Sequence, residues 1–369
     1  MFSEEIHKYD WNEVKDCIYS KKAEDVEKAL ASRNPGPEDF KALLSPAAAP
    51  YIETMASLSR VRTQERFGKV IQLYLPLYLS NQCNNQCVYC GFNGKNEIDR
   101  VTLSEQEIMS EVNAIKKFGY EHILLVTGED PVNAGFEYLL NSIKLIKPYF
   151  SLISIEVQPL ETEEYSRLAA HGLNTVYVYQ ETYHPGSYKN YHPGGKKMDY
   201  RYRLDTPDRI GNAGIHRIGL GTLLGLEDWR TDAFFTSMHL KYLEKKYWKT
   251  KYSISFPRLR PHAGKFHPPF PVSDAELVQL ICAYRLLNRE VELSISVRES
   301  RKFRDHIVQM GITSMSAGSR TEPGGYSLKK SALEQFEIHD NRTADEICRM
   351  ITEQGYEAVW KDWDAIMQI

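Results

Sequence analysis

The sequence of 369 residues predicts an α/β protein built on a (βα)8 barrel of the TIM type. One observation is that eight strand-like runs alternate with amphipathic helices. Another is that several of these runs have one polar and one aliphatic face. The runs cover residues 71–79, 122–127, 152–158, 175–181, 217–223, 252–256, 291–298 and 312–316. A doubly wound open sheet is the alternative, but eight regular units favour the barrel.

The chain before the first strand predicts a helical extension. Three segments there have helical periodicity, namely WNEVKDCIYS, AEDVEKALAS and AAAPYIETMASLSRVRTQERFG, and RNPGPED interrupts them. Later segments predict helices between barrel strands: SEQEIMSEVNAIKKFG, ETEEYSRLAAHG, DTPDRIGNAGI and SDAELVQLICAYRLL. We expect an N-terminal helical extension over residues 1–70 and the barrel over 71–320. A C-terminal segment over 321–369 is expected to pack on the barrel and close one end.

Alternation in three strands places polar side chains on the inner face of the predicted barrel. In LISIEVQ, TVYVYQE and VELSISVR the aliphatic face must meet the surrounding helices, so the polar face turns inward. The polar residues are Ser154, Glu156, Gln158, Thr175, Tyr177, Tyr179, Glu181, Glu292, Ser294, Ser296 and Arg298. Because structural barrels fill the lumen with branched apolar residues, a polar lumen indicates a buried binding site. Satisfied polar layers without function are the alternative.

The composition limits the partners and the compartment. A formal net charge of -3 argues against nucleic acid as a partner. The start, MFSEEIHKYDWNEV, is acidic and lacks the apolar segment of a signal peptide. No run of about 18 apolar residues predicts a membrane span. Cys17, Cys282 and Cys348 are scattered singly, as free thiols are, so we expect a cytoplasmic protein without a disulfide framework.

Three of the six cysteines lie close together after the first strand. Cys83, Cys87 and Cys90 follow its carboxyl end, where barrel enzymes hold their active sites. Structural zinc normally takes four closed ligands, and a disulfide would leave one thiol over. A [4Fe–4S] cluster normally has four thiolates, so three would leave one iron open to a substrate. The spacing favours such a cluster, with zinc as the alternative.

The run CNNQCVYC carries the CX3CX2C pattern of radical S-adenosylmethionine (SAM) enzymes, including an aromatic residue, Tyr89, before the third cysteine. From the first strand to its end, the sequence resembles the tyrosine lyases, the 2-iminoacetate synthases of thiamine biosynthesis. The runs that carry this resemblance are LYLSNQCNNQCVYCGF, LLVTGED, IEVQPL, VYVYQETYH, RLDTPDRIGNAGI, IGLGTLLGLEDWR, SFPRLRP, PGGY and VWKDWD. The resemblance implies a radical SAM barrel with one [4Fe–4S] cluster on Cys83, Cys87 and Cys90, whose open iron binds SAM.

The resemblance also implies which residues contact SAM. Gly128 and Glu129 in TGED would receive the methionyl amino group, and Arg203 in YRYRLDTPDR would pair with the carboxylate. Glu156 and Tyr89 would make further contacts. TGED by itself also fits the turn that starts a helix, and Arg203 could be a solvated helix residue.

Relatives that act on aromatic amino acids bind the substrate carboxylate with an arginine on the seventh strand. Arg298 matches that position, and Tyr78 and Ser316 match neighbouring pocket positions. An internal salt bridge of Arg298 with Glu299 or Glu292 is the alternative, and Tyr78 could be a structural aromatic residue at the barrel rim.

The reaction that the resemblance implies is cleavage of the Cα–Cβ bond of L-tyrosine. A 5′-deoxyadenosyl radical from SAM would take hydrogen from the substrate amino group, giving 2-iminoacetate (dehydroglycine) and p-cresol, with 5′-deoxyadenosine and methionine. Candidates for contacting the phenol end are Arg258, Arg260 and His262. Expected partners are a low-potential electron donor such as flavodoxin or ferredoxin, and thiazole synthase, which would receive the readily hydrolysed 2-iminoacetate.

Three other functions fit parts of this pattern. Tryptophan lyases share the scaffold and the substrate arginine, so only pocket residues distinguish them. The hydrogenase maturase that cleaves tyrosine needs additional C-terminal cysteines, whereas only Cys282 and Cys348 follow Cys90, far apart, so we reject it. A non-enzymatic subunit that binds iron–sulfur or zinc is the alternative from a different class.

Overall fold

The structure, a computed structural model, describes residues 1–261, 266–328 and 334–361, and its centre is a closed barrel of eight parallel strands. These are β1 (Val70–Ser80), β2 (His122–Thr127), β3 (Leu152–Glu156), β4 (Leu173–Tyr177), β5 (Arg217–Gly221), β6 (Lys251–Ser255), β7 (Glu292–Ile295) and β8 (Ser314–Ser316). Consecutive strands pair, and β1 closes the barrel by pairing with both β2 and β8. The predicted (βα)8 barrel is confirmed.

Helices precede the barrel, connect its strands and follow it. They are α1 (Phe2–Glu5), α2 (Trp11–Tyr19), α3 (Ala23–Ala31), α4 (Pro37–Leu44), α5 (Ile52–Phe67), α6 (Glu105–Lys116), α7 (Phe136–Ile146), α8 (Thr162–Ala170), α9 (Pro185–Tyr191), α10 (Tyr200–Leu204), α11 (Thr206–Asn212), α12 (Trp229–Lys246), α13 (Asp274–Leu287), α14 (Arg301–Ile307) and α15 (Ala344–Glu353). Short 3-10 turns lie at Ile6–Lys8, Pro46–Tyr51 and Lys196–Met198. No helix in the described part of the chain is long and apolar enough to cross a membrane.

The aliphatic faces of the strands form the main core, as the alternation predicts. Ile153, Ile155, Val176, Leu293 and Ile295 are buried in one hydrophobic cluster that also contains residues of the surrounding helices. Burial of such side chains is the main favourable term in folding, at about 25 cal/mol per Å² of apolar surface. The polar side chains of these strands therefore point to the other face, into the barrel.

The N-terminal extension contains a helix that was not predicted. The expected break at RNPGPED is wrong in part, because α4 begins inside it at Pro37. Proline suits the first helical position, since no intrahelical hydrogen bond is lost there, and the Asp39 carboxylate accepts from Gly36 N–H at 2.8 Å. On α13, Gln279 Nε2 donates to the carbonyls of Leu43 and Ser45, both at 2.9 Å. These contacts attach the extension to the barrel.

The three strands whose alternation predicts the polar lumen end earlier than their sequence patterns predict. β3 ends at Glu156, β4 at Tyr177 and β7 at Ile295. Beyond β4 the chain turns where Glu181 adopts φ 69, a conformation that non-glycine residues rarely take. Beyond β7 the Val297 carbonyl accepts from the C-terminal segment, at His339 N–H, rather than from a neighbouring strand. The polar residues that follow these strands therefore stand on loops at the carboxyl end of the barrel.

The C-terminal segment contacts both ends of the barrel. A short strand, β9 (Glu357–Val359), pairs in parallel with the first residues of β1 at the amino end. At the carboxyl end, Glu337 N–H donates to the Pro261 carbonyl at 3.0 Å. Of VWKDWD, the residues from 362 onward lie outside the described residues. The boundaries 1–70, 71–320 and 321–369 stay predictions.

Candidate active site

One pocket opens at the carboxyl ends of the strands, and the residues predicted for the cluster, for SAM and for the carboxylate end of the substrate all line it. The residues come from β1, β3 and β8, from the loops after β1, β2 and β7, and from α10. They are Tyr78, Cys83, Cys87, Tyr89, Cys90, Gly128, Glu129, Glu156, Arg203, Arg298 and Ser316. The fold thus brings together residues that are as distant in the sequence as Tyr78, on the first barrel strand, and Ser316, on the last.

The cysteine loop is held by backbone hydrogen bonds to two other loops. Asn84 N–H donates to the Glu129 carbonyl and Gln86 N–H to the Gly194 carbonyl, each at 3.0 Å. Glycine is required on both sides: a Cβ on Gly128 would lie 2.2 Å from the Gln82 carbonyl oxygen. A Cβ on Gly195, where φ is +86, would lie 2.3 Å from Asn85 Oδ1. The glycine of TGED therefore allows the backbone to lie close to the cysteine loop, so this run does more than start a helix.

The three thiols are poor acids in this pocket, and they suit a metal centre. Burial raises the pKa of Cys83 to about 11 and also raises the pKa of Cys87 and Cys90. A thiolate at such a site needs a cation to offset the cost of burial, and iron supplies it. Three sulfur donors on one compact loop fit an iron–sulfur cluster.

Beside the thiols, buried charges pair with one another. Arg203 NH1 lies 2.9 Å from Glu129 Oε1, and Lys197 Nζ lies 2.6 Å from Glu181 Oε1. Asn85 Nδ2 donates to Glu129 Oε2 at 2.7 Å. Burial acts to raise the pKa of Glu129, but the charges of Arg203 and Lys197 hold it below its ordinary value. The alternative of a solvated Arg203 is wrong, because its side chain is only 6% exposed.

Two members of this charge group were not predicted as site residues. Glu181 appears in the sequence only as one of the polar residues of TVYVYQE. Lys197 in GGKKM has no pattern that would single it out. Its position depends on contacts with distant loops: its backbone N–H donates to Asn85 Oδ1 at 2.9 Å.

A histidine orients the aromatic ring before the third cysteine. His192 Nδ1 lies 2.8 Å from the Tyr188 carbonyl, so it carries the proton and donates. Burial, with Lys197 adding to it, lowers the pKa of His192 to about 2, which keeps the ring neutral. His192 Nε2 is then an acceptor, and the Tyr89 hydroxyl donates to it at 2.7 Å. Tyr89 therefore has a fixed orientation in the cysteine loop.

Arg298 carries a positive charge into the pocket without an ion-pair partner among the described residues. Its guanidinium lies over the Phe336 ring, 3.4 Å from the ring centroid. The alternative partners are taken: Glu299 pairs with Arg260 at 2.7 Å, and Glu292 pairs with Arg217 at 2.9 Å. The internal salt bridge is therefore wrong, and the guanidinium can receive an anionic ligand.

Other predicted residues lie around Arg298. Burial raises the pKa of Glu156 to about 7, although the charge of Arg298 opposes this. Tyr78 donates its hydroxyl proton to Gln335 Oε1 at 2.8 Å. Ser316 Oγ accepts from Val297 N–H at 3.2 Å. Tyrosine and serine side chains line the rest of the barrel lumen, namely Tyr74, Tyr177, Tyr179, Ser255 and Ser294.

Of the three candidates for contacting the phenol end of the substrate, two lie among the described residues, and one of these two lines the pocket. Arg258 pairs with Glu299 and with Asp274, and it does not line the pocket. Arg260 lines the pocket but also pairs with Glu299. His262 lies outside the described residues. Gln158, predicted on the inner face, donates instead to the Ala134 carbonyl at 3.1 Å, because β3 has already ended.

Sequence relatives match nearly the whole chain. The radical SAM superfamily model matches residues 77–234, and the Biotin and Thiamin Synthesis associated domain matches residues 255–357. The 2-iminoacetate synthase of Salmonella typhimurium is 47% identical over 99% of this chain and 97% of its own length. The chain belongs to this radical SAM family. The 2-iminoacetate synthase of Escherichia coli is 46% identical over the same shares of the two chains.

Among solved structures, the chain is similar to HydG, a maturase of the [FeFe]-hydrogenase, with a TM-score of 0.91 and 32% identity. The match covers 96% of this chain and 81% of that one. The predicted family and the predicted radical SAM fold are confirmed. Enzymes of the radical SAM superfamily use SAM and an iron–sulfur cluster, so the protein is an enzyme with both cofactors.

Proposed function

We propose that this radical SAM enzyme is a tyrosine lyase. It cleaves the Cα–Cβ bond of L-tyrosine to 2-iminoacetate and p-cresol, consumes SAM to 5′-deoxyadenosine and methionine, and supplies thiazole formation in thiamine biosynthesis. The observation that supports this proposal most strongly is that three kinds of group line one pocket. They are three cysteine thiols, a group of ion-paired charges, and an arginine that forms no ion pair with any described residue. The name of the relatives at 47% and 46% identity supports the same reaction.

The geometry of the pocket supports the proposed cofactor residues. Cys83, Cys87 and Cys90 would hold one [4Fe–4S] cluster, and Tyr89, Gly128, Glu129, Glu156 and Arg203 would contact SAM. When bound, the two cofactors supply the radical that takes hydrogen from the substrate amino group. Gly128 lets the backbone approach closely, and the charges around Glu129 are already paired before a ligand arrives.

The substrate residues hold and orient the amino acid. Arg298 would bind the carboxylate of tyrosine, because a guanidinium fork matches a carboxylate and no acidic side chain of the described residues takes it. Tyr78 and Ser316 lie in the same pocket, on either side of the strand junction that closes the barrel. The burial of this pocket excludes water from the reacting atoms, and fixed contacts bring the substrate into reach of the radical.

Partners complete the proposal. A flavodoxin or ferredoxin would supply the electron, and thiazole synthase would accept 2-iminoacetate, in the cytoplasm. The hydrogenase-maturase reaction is not proposed, because Cys282 is buried on α13 and Cys348 lies on α15.

Product analysis tests the substrate. Anaerobic enzyme with reconstituted cluster, reductant and SAM is expected to form p-cresol from L-tyrosine and to leave L-tryptophan unchanged. Consumption of tryptophan without p-cresol from tyrosine would show a tryptophan lyase instead. Failure to cleave SAM under strong reduction would contradict the proposed reaction.

A further inference from the structure

Gln335 connects the cysteine loop to the substrate side of the pocket. Its side-chain Oε1 accepts from the Tyr78 hydroxyl at 2.8 Å, and its Nε2 donates to Cys90 Sγ at 3.8 Å. The residue belongs to the C-terminal segment, far from both partners in sequence. One amide group therefore bridges a sulfur of the cysteine loop and a hydroxyl of β1.

The backbone of Gln335 is also fixed in place. Its N–H donates to the Thr321 carbonyl at 3.1 Å. Its carbonyl oxygen would lie 2.8 Å from a Cβ placed on Gly91, directly after Cys90, so the two chain segments touch. The next residue, Phe336, lies under the Arg298 guanidinium. The segment thus meets the cysteine loop and the substrate arginine within two consecutive residues.

The chemistry of the two partners fixes the direction of these hydrogen bonds. A metal-bound thiolate has no proton and can only accept, so the NH2 group of the amide must face Cys90. The amide oxygen then faces Tyr78, which must use its single hydroxyl proton to donate to it. Toward the pocket, the Tyr78 oxygen can act only as an acceptor. The ligand group that suits it is an N–H donor, such as the amino group of an amino acid.

We infer that Gln335 is a positioning residue that links cluster and substrate. It donates to the Cys90 sulfur and makes Tyr78 an acceptor for the substrate amino group. This inference rests on the proposed function, since that assigns Cys90 to the cluster and the pocket to tyrosine.

Two consequences can be measured. A hydrogen bond to a cluster sulfur withdraws negative charge from it and raises the reduction potential. A substrate N–H that donates to Tyr78 polarises the Tyr78 hydroxyl, and through it the amide, so the bond to sulfur strengthens. Tyrosine binding should therefore raise the potential further, by way of Gln335.

The test is a redox titration of the cluster-loaded full-length protein, followed by electron paramagnetic resonance, with and without L-tyrosine. Gln335→Leu removes both hydrogen bonds, so its potential should be lower than that of the wild type and unresponsive to tyrosine. Gln335→Glu keeps an acceptor for Tyr78 but offers the sulfur no donor and adds negative charge, so its potential should be lower still. Gln106→Leu, an exposed glutamine on α6, is the matched control and should behave as the wild type.

Tyr78→Phe separates the two halves of the link. Without tyrosine its potential should stay near that of the wild type, because the amide still faces Cys90, and the response to tyrosine should be lost. Wild-type potentials in both Gln335 variants, or a full tyrosine response in Tyr78→Phe, would overturn the inference. The titration needs no turnover: p-cresol formation alongside unchanged potentials would refute the role of Gln335 and leave the lyase standing. If the Gln335 variants have lowered reduction potentials but the wild type forms no p-cresol, the proposed lyase activity would be refuted. The hydrogen bond from Gln335 to Cys90 would still be supported.

Discussion

Two sets of charges in the same pocket differ in how they are satisfied. Glu129, Glu181, Lys197 and Arg203 form ion pairs with one another beside the cysteine loop. Glu156 and Arg298, which line the same pocket, have no ion-pair partner among the described residues, and only their mutual electrostatic influence links them. We call the first set the paired charges and the second set the unpaired charges.

The difference indicates that the paired charges stabilise the free protein, whereas the unpaired charges wait for a ligand. Removing one member of a buried ion pair leaves the other uncompensated, so the paired charges must hold the loops together before any ligand binds. The unpaired charges cost stability in the free protein and gain their partners from ligands. Substitutions in the paired charges, of which Glu129 and Arg203 would also contact SAM, should therefore lower the stability of the free protein, whereas substitutions in the unpaired charges should weaken ligand binding without lowering that stability.

The largest effect should come from the thiols that both sets surround. Cys87→Ser should abolish cluster loading and all cleavage of SAM, because two thiolates cannot hold the cluster in place of three. Iron and sulfide content, with the visible absorption of the reconstituted protein, measures this. Cys348→Ser, on α15, is the control and should load normally. A fully loaded, active Cys87→Ser would show that the cluster lies elsewhere.

The next largest effect should come from the paired charges. Arg203→Ala leaves Glu129 without its closest cation, so the free energy of unfolding of the cluster-free protein should fall by about 3–5 kcal/mol. Urea unfolding measures this. Arg201→Ala, whose side chain on α10 is 70% exposed, should change it by no more than about 0.5 kcal/mol. Equal stability of the two variants would contradict the structural role of the paired charges.

Arg298→Ala should reverse that pattern. Losing a charged hydrogen bond to the substrate carboxylate costs about 1.5–3 kcal/mol, so the Kd for L-tyrosine should rise roughly 10- to 150-fold, while the free energy of unfolding of the free protein should not fall. Calorimetric titration of the loaded enzyme measures the affinity, and Arg301→Ala, 71% exposed on α14, is the control. Intact tyrosine affinity together with lost SAM cleavage would move Arg298 to the cofactor.

The smallest effect concerns pH and Glu156. Burial raises its pKa from 4.5 to about 7, so the folded protein binds a proton more tightly than the unfolded chain. The contribution of Glu156 to stability is therefore full below pH 4.5, decreases as pH rises toward 7, and is constant above. Glu156→Gln should remove this part of the pH dependence and be the more stable protein at pH 8, in unfolding curves at several pH values. A pH dependence identical to that of the wild type would show that Glu156 titrates normally.

Much of this arrangement was predictable because it depends on local patterns. Alternation within single strands placed Glu156 and Arg298 on the pocket side, and the spacing of three cysteines indicated the cluster. The paired charges depend on loops that meet only in the folded chain: Lys197 reaches the pocket through Asn85, which is 112 residues away. The same holds for Gln335, whose partners lie on β1 and in the cysteine loop. Helix α4 was not predicted because the Pro-Gly sequence at its start is typical of a turn. Strand β9 was not predicted because it is too short to show alternation.

The most direct test of the whole account is the ratio of p-cresol to 5′-deoxyadenosine, measured anaerobically with saturating L-tyrosine in the wild type and in Arg298→Ala. A tyrosine lyase with its substrate arginine at residue 298 should form the two products in equal amounts in the wild type. In Arg298→Ala, 5′-deoxyadenosine should continue to form while p-cresol falls well below it. 5′-Deoxyadenosine without p-cresol in the wild type, or an unchanged ratio in Arg298→Ala, would contradict the account.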